Sequence, residues 1–291
     1  MARRDDRRAA ATLAGPASFL ILVFILGPVI GVILLSLTDY QLGARGLRFI
    51  GADNYATLFA DRTFMTSLRN TLVYVGVVVP TSVALALGAA LLIEAGAGLR
   101  AFYRAAYFLP VMATLIAMAI VWEFMLHPNF GLINLLLRWF GFQGRDWLQD
   151  RSTVLMTFAV IGVWQSLGFN MVLFMAGLTA IPRELYDAAA VDGADDAWER
   201  FWTVTWPMLA PITLFVVVIS AIRSFQVFDI VQLLTHGGPN KASEVLLHTM
   251  YTEAFTFFRT GYAAAITVVF LGFVVALAAI KVMFERRTRS A

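Results

Sequence analysis

The chain has 291 residues, of which 60% are apolar and only 14% are charged, and its mean hydropathy is +0.76. Soluble proteins usually carry charge on about a quarter of their positions, so this composition excludes a globule in water and favours a surface that faces lipid. The net charge of +3 does not indicate nucleic-acid binding, because the arginines stand at the ends of apolar runs, where membrane topology explains them. The absence of cysteine excludes disulfides and thiolate-bound metals, and the three histidines are scattered.

Six apolar runs separated by charges predict six membrane-spanning helices. Each run is near the length of about 20 residues that crosses the hydrocarbon core as a helix. None shows the period-two alternation of a barrel strand. The predicted spans are 12–37, 69–93, 105–126, 153–178, 210–233 and 262–284. The first run is too long for the apolar part of a signal peptide and lacks a cleavage site, so we expect a retained helix.

Basic residues predict the orientation of these spans. Clusters of arginine and lysine stand at the start of the first span and at the end of the last. Because six is an even number of crossings, both clusters lie on the same face of the membrane. The clusters are Arg3, Arg4, Arg7 and Arg8, and Lys281, Arg286, Arg287 and Arg289. The positive-inside rule therefore predicts cytoplasmic N- and C-termini. Of the short outer loops, residues 131–139 form an amphipathic stretch that we expect to lie flat at the membrane interface.

The cytoplasmic segment 181–211, between the fourth and fifth spans, predicts two short helices around a turn. Pro182 suits a helix start, and acidic residues in the first turn favour the positive end of the helix dipole. Asp192-Gly193 is a turn signal. The second helix presents Trp198, Phe201 and Trp202, and we expect Pro207 and Pro211 to end it.

This segment combines acidic residues with large apolar ones, and two interpretations fit that combination. A helix with a small-residue face, acidic flanks and aromatic backing suits docking into a groove on a soluble partner. An amphipathic connector lying on the membrane surface would have a similar composition. The residues alone leave both interpretations open.

The same segment resembles the "EAA" loop of bacterial ABC importer permeases. The family pattern is roughly E-A-A-x-x-D-G-A, followed by a Phe and a Pro-bounded end. Asp187-Ala188-Ala189, Asp192-Gly193-Ala194, Phe201 and Pro207 match it. Asp187 departs from the usual Glu by one methylene, which changes the geometry of any salt bridge to an ATPase, and Trp206 stands where Leu is usual.

A second stretch, Phe225 to Pro239, is similar to the end of the fifth core helix in carbohydrate-uptake permeases of the maltose, trehalose and glycerol-phosphate type. Its ending, Leu234-Thr235-His236-Gly237-Gly238-Pro239, follows the Leu-Thr-x-Gly-Gly-Pro pattern of that group, and Leu109-Pro110 and Trp122 also fit. The resemblance covers about 65–285. It implies a type I ABC importer permease fold with an N-terminal region at 1–64, a transmembrane domain at 65–285, a coupling loop at 181–211 and a tail at 286–291.

The resemblance also implies partners and a location. These are a second homologous permease, two ATPase subunits, a periplasmic or lipid-anchored solute-binding protein, membrane lipid and a sugar-type cargo, in the bacterial inner membrane. The chain itself is expected to bind no cofactor, because it has no Walker A pattern and the partner ATPase holds ATP and Mg. The residues expected to couple to the ATPase are Glu184, Tyr186, Asp187, Ala188, Ala189, Asp192, Gly193, Ala194 and Phe201.

Two polar helical faces are candidates for cargo contact, by spacing and by alignment with the sugar-lining face of the maltose permease. The residues of each face are spaced at i, i+3, i+4 and i+7, so they share one side of a helix. The predicted residues are Gly162, Gln165, Ser166, Phe169 and the adjacent Asn170, and Ser220, Arg223, Ser224 and Val227. The amide, hydroxyl and aromatic groups suit sugar recognition. Small and polar residues also serve as plain interhelical contacts, which is the alternative for each of them.

Arg223 predicts an anionic group on the cargo. A charge within a span normally faces a cavity or a partner, and guanidinium binds phosphate, sulfonate or carboxylate well. The alternatives are that Arg223 snorkels to the interface or pairs with a neighbouring subunit. Two other classes of protein compete with the importer: a secondary transporter working as a single chain, and a membrane enzyme. Mid-membrane acids and a nucleophile–base pattern, which would favour these classes, are not seen in the sequence.

Overall fold

The computed structural model describes residues 14–96 and 98–289. Within those two ranges the regular secondary structure is helical and no strand occurs, apart from one isolated bridge between Thr38 and Phe49. The predicted all-α fold is therefore confirmed. The helices are α1 (Ala14–Leu35), α2 (Asp53–Ala60), α3 (Arg62–Ala95), α4 (Arg100–Met112), α5 (Leu115–Met125), α6 (Leu132–Trp139), α7 (Val154–Thr179), α8 (Arg183–Val191), α9 (Ala197–Arg200), α10 (Trp206–Phe225), α11 (Asp229–Leu234), α12 (Leu246–Tyr251) and α13 (Thr260–Arg289).

Five helical segments in the described ranges are long and apolar enough to cross a membrane, and a bent pair of helices makes a sixth if the pair forms one span. The five are Ala14–Leu35, Arg62–Ala95, Val154–Thr179, Ala197–Leu234 and Thr260–Met283. Each of the six predicted spans thus has a counterpart. The start of the first span and the arginine cluster before it fall in residues 1–13, which lie outside the described residues, as do the last two residues of the predicted tail.

The third span differs from the single helix predicted for 105–126. Its two helices, α4 and α5, meet at an angle of 100°. Ala113 and Thr114 are extended, with ψ of 143° and 140°, so the helical hydrogen-bond ladder stops there and restarts at Thr114. Pro110 removes one backbone donor from the last turn of α4. The two halves also pack on different partners, α4 against α7 and α5 against α11, which a straight helix would not allow.

Pro207 and Pro211 do not end the second short helix, so that prediction is wrong. A π-helical turn, Phe201–Thr205, joins α9 to α10, and the helix continues through both prolines to Phe225. Pro207 directly follows the π-helical turn, and local π adjustments of this kind accommodate a proline within a membrane helix. Membrane helices tolerate an internal proline such as Pro211 because neighbouring groups satisfy the freed carbonyl.

The chain forms two compact units, 14–65 with 249–272, and 66–248 with 273–289. The predicted division at residues 64 and 285 rests on the family resemblance and stays a prediction. In the first unit, Glu253 is buried and accepts two hydrogen bonds from the guanidinium of Arg259 (2.7 and 2.6 Å). The Tyr262 hydroxyl donates to Asp61 at 2.8 Å.

In the second unit, α7 lies between the other helices and carries the core on several sides. Towards its start, Phe158 is fully buried in a cluster with Tyr74 and Val231, which come from α3 and α11. Towards its end, Phe174 is fully buried with Val216 and with small residues of α3. Packing towards both ends of α7 fixes α3, α10 and α11 around it, and this arrangement positions the candidate site.

Candidate functional site

An open cavity of about 200 Å³ lies in the second unit where α3, α7 and the C-terminal end of α10 meet. Its walls consist of Tyr74, Gly162, Gln165, Ser166, Arg223, Ser224, Gln226, Val227, Phe228, Asp229 and Ile230. Both predicted helical faces contribute, so six of the nine predicted cargo residues line one space. Whether they touch cargo stays a prediction.

Arg223 lines the cavity with its guanidinium stacked over the ring of Phe169, at 4.6 Å from Cζ to the ring centroid. No ion pair or hydrogen bond to this guanidinium is present among the residues that the structure describes. A cation–π contact favours such a position by roughly 0.5–2 kcal/mol and leaves the guanidinium hydrogens available. The ring face that was expected to stack on a sugar is thus occupied by Arg223, and Phe169 orients the cation.

Asn170 and Ser220 lie away from the cavity, in a buried polar contact between helices. They are 1% and 4% exposed. The Ser220 hydroxyl donates to Asn170 Oδ1 at 2.9 Å, and Asn170 Nδ2 donates to the Ser82 hydroxyl at 3.3 Å. These bonds join α3, α7 and α10. Asn170 and Ser220 therefore serve as contacts between helices, which was the alternative to cargo contact.

The sequence reasoning missed Asp229, which lines the same cavity as Arg223. On an uninterrupted helix the two side chains would point 240° apart. The helix is interrupted: Gln226 ends α10, Phe228 has φ of −147°, and α11 restarts at Asp229. The break turns Asp229 into the cavity wall, so the cavity carries a carboxylate as well as a guanidinium, and the two form no ion pair.

Tyr74 of α3 is the other lining residue that no sequence signal selects. It is 6% exposed and packs in the core around Phe158, yet it also lines the cavity. Its hydroxyl has no hydrogen-bond partner within the described part of the chain. A Cβ placed on Gly162 would lie 2.2 Å from this hydroxyl, so the glycine makes room for the tyrosine.

Gly162→Ala is expected to reduce cargo uptake roughly tenfold, equivalent to about 1.4 kcal/mol, because the new methyl displaces Tyr74 into the cavity. Uptake by reconstituted vesicles measures the effect. Tyr74→Phe in the same chain removes the obstructing oxygen and should restore part of the activity. Gly76→Ala on α3 is the matched control, since nothing lies within 4 Å of its Cβ. A double variant no more active than Gly162→Ala would show that the hydroxyl is not the obstacle.

The segment 181–205 has the two short helices and the turn that the sequence predicts. Beyond the last residue of α8, the Gly193 N–H donates to Ala190 O (3.2 Å) and the Ala194 N–H donates to Ala189 O (2.9 Å). This is the Schellman arrangement, which requires a left-handed residue at Gly193. Gly193 has φ of +94°, which glycine adopts without steric cost.

The second short helix begins with a side-chain cap and is attached to the first. Asp196 Oδ1 accepts from the Glu199 N–H at 2.7 Å, as expected of an N-cap. Arg200 Nε donates to Ala194 O at 3.0 Å, across the turn. The Tyr186 hydroxyl bonds the Thr205 hydroxyl at 3.0 Å. Through these contacts α8, α9 and the base of α10 form one connected piece.

The predicted coupling residues fall into two groups. Tyr186, Ala189 and Ala194 are partly or fully buried and hold the segment together, Tyr186 and Ala189 by packing on Ile181, Val204 and Leu209. The exposed group comprises Glu184, Asp187, Ala188, Asp192 and Gly193, with Phe201 half-buried. Val191 and Trp198 add a prominent apolar surface, being 89% and 67% exposed. No group of acidic or histidine side chains suited to a metal occurs within the described ranges.

Comparison with known proteins assigns the chain to a family. Residues 95–290 match the family described as binding-protein-dependent transport system inner membrane component. The chain belongs to this family of permeases. It is 35% identical over 270 residues to the probable ABC transporter permease protein YurN of Bacillus subtilis, covering 91% of each chain. It is also 31% identical to the sn-glycerol-3-phosphate transport system permease UgpA of Agrobacterium fabrum, covering 82% of this chain and 81% of UgpA.

The fold of the permease agrees with this assignment. A chain in the crystal structure of a bacterial ABC transporter that imports the acidic polysaccharide alginate aligns with a TM-score of 0.82 at 22% identity. The alignment covers 100% of the permease and 99% of that chain. The predicted type I importer permease fold is therefore confirmed, and the chain is a multi-pass membrane transport subunit.

Proposed function

We propose that this permease imports a sugar-type cargo carrying an anionic group across the bacterial inner membrane, driven by ATP hydrolysis on separate subunits. The observation that carries the proposal is the unpaired guanidinium of Arg223, which Phe169 holds at the wall of the cavity. Arg223 is exposed in the single chain and stands in the predicted fifth span, where a cation normally faces a cavity or a partner, so the site favours a ligand that brings negative charge. The cargo for which the relative UgpA is named, a phosphate ester, supports the same chemistry.

The remaining groups in the cavity suit the hydroxyls of such a cargo. Gln165 and Ser166 supply an amide and a hydroxyl from α7, and Ser224 supplies a hydroxyl from α10. Asp229 can accept hydrogen bonds from sugar hydroxyls, which are donors as well as acceptors. A cargo with an anionic end towards Arg223 and hydroxyls towards Asp229 would satisfy both unpaired charges.

The segment α8–α9 is the proposed docking site for the ATPase, with a second homologous permease and an external binding protein completing the importer. Its exposed residues, including Asp187 and Ala188, would contact the ATPase, while Tyr186 and Val204 fix the segment to α10. Helix α10 then runs about 30 Å from this base to the cavity. Arg223 lies in its last turn. A displacement of the segment would therefore reach the cavity through one continuous helix, as alternating access requires.

This arrangement also implies the orientation of the permease. The ATPase is cytoplasmic, so α8–α9 faces the cytoplasm, in agreement with cytoplasmic termini. Affinity purification of the permease from its native host tests the assembly: an ATPase and a second permease should accompany it, with hydrolysis stimulated by loaded binding protein. Transport by the purified chain alone would instead support the single-chain secondary transporter.

Ala188→Arg is expected to reduce recovery of the ATPase subunit roughly tenfold or more in that purification, because a long charged side chain would occupy a close-packed docking face. Ala188 is exposed, so the substitution leaves the packing of the permease intact. Gln149→Arg, an exposed site across the membrane from α8, is the matched control. Equal ATPase recovery with both variants would remove α8 from the docking surface.

A further inference from the structure

The loop between α5 and α7 is held by Asn134, a fully buried side chain on α6. Its Nδ2 donates to the carbonyl oxygens of His127 (3.2 Å) and Arg145 (2.8 Å). Its Oδ1 accepts from the Arg145 N–H (3.0 Å) and from Trp147 Nε1 (2.9 Å). One amide thus ties the chain before α6 to the chain after it, which fixes the direction in which α6 presents its faces.

Helix α6 buries Asn134 and packs Ile133 against the core, and it leaves a row of apolar side chains exposed. Arg138, one turn after Asn134, bonds the loop's own Pro128 carbonyl at 2.9 Å. The outward stripe, at i, i+3, i+4, i+7 and i+8, consists of Leu132, Leu135, Leu136, Trp139 and Phe140. Trp139 and Phe140 are 82% and 73% exposed. A contiguous stripe of this kind is unfavourable in water and marks contact with an apolar partner.

The outward stripe lies near the exposed apolar face of α5, the second helix of the bent pair. On α5, Ile116, Ile120 and Phe124 share one face and are exposed. The Phe124 ring lies 6.3 Å from the Phe130 ring, which stands just before α6. The exposed side chains of α5 therefore come close to the start of α6, with the His127 ring stacked on Phe130 beside them (3.6 Å between centroids), so lipid that covers this face of α5 would extend to the start of the stripe.

The charge and composition of α6 and its flanking residues indicate that lipid, rather than water, covers the outward stripe. The stretch that carries the stripe, residues 131–140, contains Arg138 and no acidic residue. Trp and Phe together with Arg are typical of segments that lie at the level of the phosphate headgroups, where anionic groups attract the cation. A short helix with one apolar face in such a setting lies in the plane of the interface.

We propose that the outward stripe of α6 is inserted into the lipid–water interface, on the membrane face opposite to the α8–α9 segment, with phospholipid as its partner. The two segments are separated by one span, α7, which places them on opposite faces. Helix α5, which leads into α6, packs against α11, and α11 carries Asp229 and Ile230 of the cavity wall. The interface thus anchors one wall of the cavity, and this inference does not depend on the identity of the cargo.

Site-specific fluorescence tests this proposal: this chain has no cysteine, so an introduced thiol is unique within it, and the unsubstituted complex labelled in the same way gives the background from the other subunits. Phe140→Cys, labelled with bimane, is reconstituted with its co-purified subunits in phosphatidylcholine vesicles brominated either near the headgroup or near the chain end. We expect quenching by bromine near the headgroup to exceed quenching by bromine near the chain end about twofold. An apolar helix face inserted roughly 5–10 Å into the headgroup–acyl boundary would give this result. Aqueous iodide should have little effect.

Controls make each outcome decisive. Ile120→Cys on α5 should respond to the deep bromine, and Gln149→Cys, exposed in the same loop, should respond to iodide. If Phe140→Cys does not fold, Leu136→Cys carries the same test. Quenching by iodide and not by lipid would mean that the stripe faces water, and quenching by neither would mean that a protein covers it. Either result overturns the proposal.

Discussion

Replacing Gly168 by alanine is expected to destabilise the permease more than any other single methyl addition in its spans. Helix α7 crosses α4 so closely that a Cβ on Gly168 would lie 1.9 Å from the Tyr107 carbonyl oxygen and 2.7 Å from the carbonyl carbon. These are backbone atoms, which cannot rotate away as a side chain can. Overpacking in a core usually costs about 1–3 kcal/mol, and we expect about 3 kcal/mol or more here.

The measurement is the yield of monodisperse permease after detergent extraction, followed by fluorescence during gel filtration. Gly88→Ala on α3 is the matched control, because nothing lies within 4 Å of its Cβ. It should be extracted as well as the unmodified chain, whereas Gly168→Ala should be largely aggregated. A normal yield and melting temperature for Gly168→Ala would show that α4 and α7 separate easily, contrary to the close packing of these two helices.

The sequence predicts those features of the fold that depend on local composition. The six spans follow from the placement of charges, because a charge in the hydrocarbon core is costly. The turn at Asp192-Gly193 follows from the glycine that a Schellman end requires, and the structure has it there. The spacing of Gln165, Ser166, Arg223 and Ser224 likewise follows from helical geometry alone.

The features missed from the sequence depend on tertiary packing. The break after Phe225 contains neither glycine nor proline; Val227 and Val231 are pulled into the core around Phe158, and this packing sets the path of the chain. Conversely, Pro207 and Pro211 are strong local signals, yet the helix passes through both. Tyr74 stands in an apolar run, where nothing distinguishes a packed tyrosine from one whose hydroxyl reaches a cavity.

Arg223→Gln is expected to raise the KM for uptake of an anionic cargo about 10–100-fold, while leaving the maximal rate less affected. The cargo is first identified by thermal shift of the cognate binding protein. Hydrogen bonds to charged groups contribute about 1.5–3 kcal/mol, and each 1.4 kcal/mol is a factor of ten in affinity. Arg223→Lys keeps the charge but loses the planar stacking on Phe169, so its KM should lie between that of the unmodified permease and that of Arg223→Gln. Arg151→Gln, an exposed arginine outside the cavity, is the control.

The same variants separate cargo binding from the two other roles open to a cation in a span. If Arg223 pairs with an acid of the second permease, Arg223→Gln should lower recovery of that subunit and leave the KM of the assembled importer unchanged. If it only snorkels to the interface, both recovery and KM should be normal. A raised KM for the anionic cargo, with an unchanged KM for a neutral analogue and normal assembly, follows only from contact between the guanidinium and the anionic group. That combination of results would identify Arg223, held in place by Phe169, as the residue that selects cargo with a negative charge.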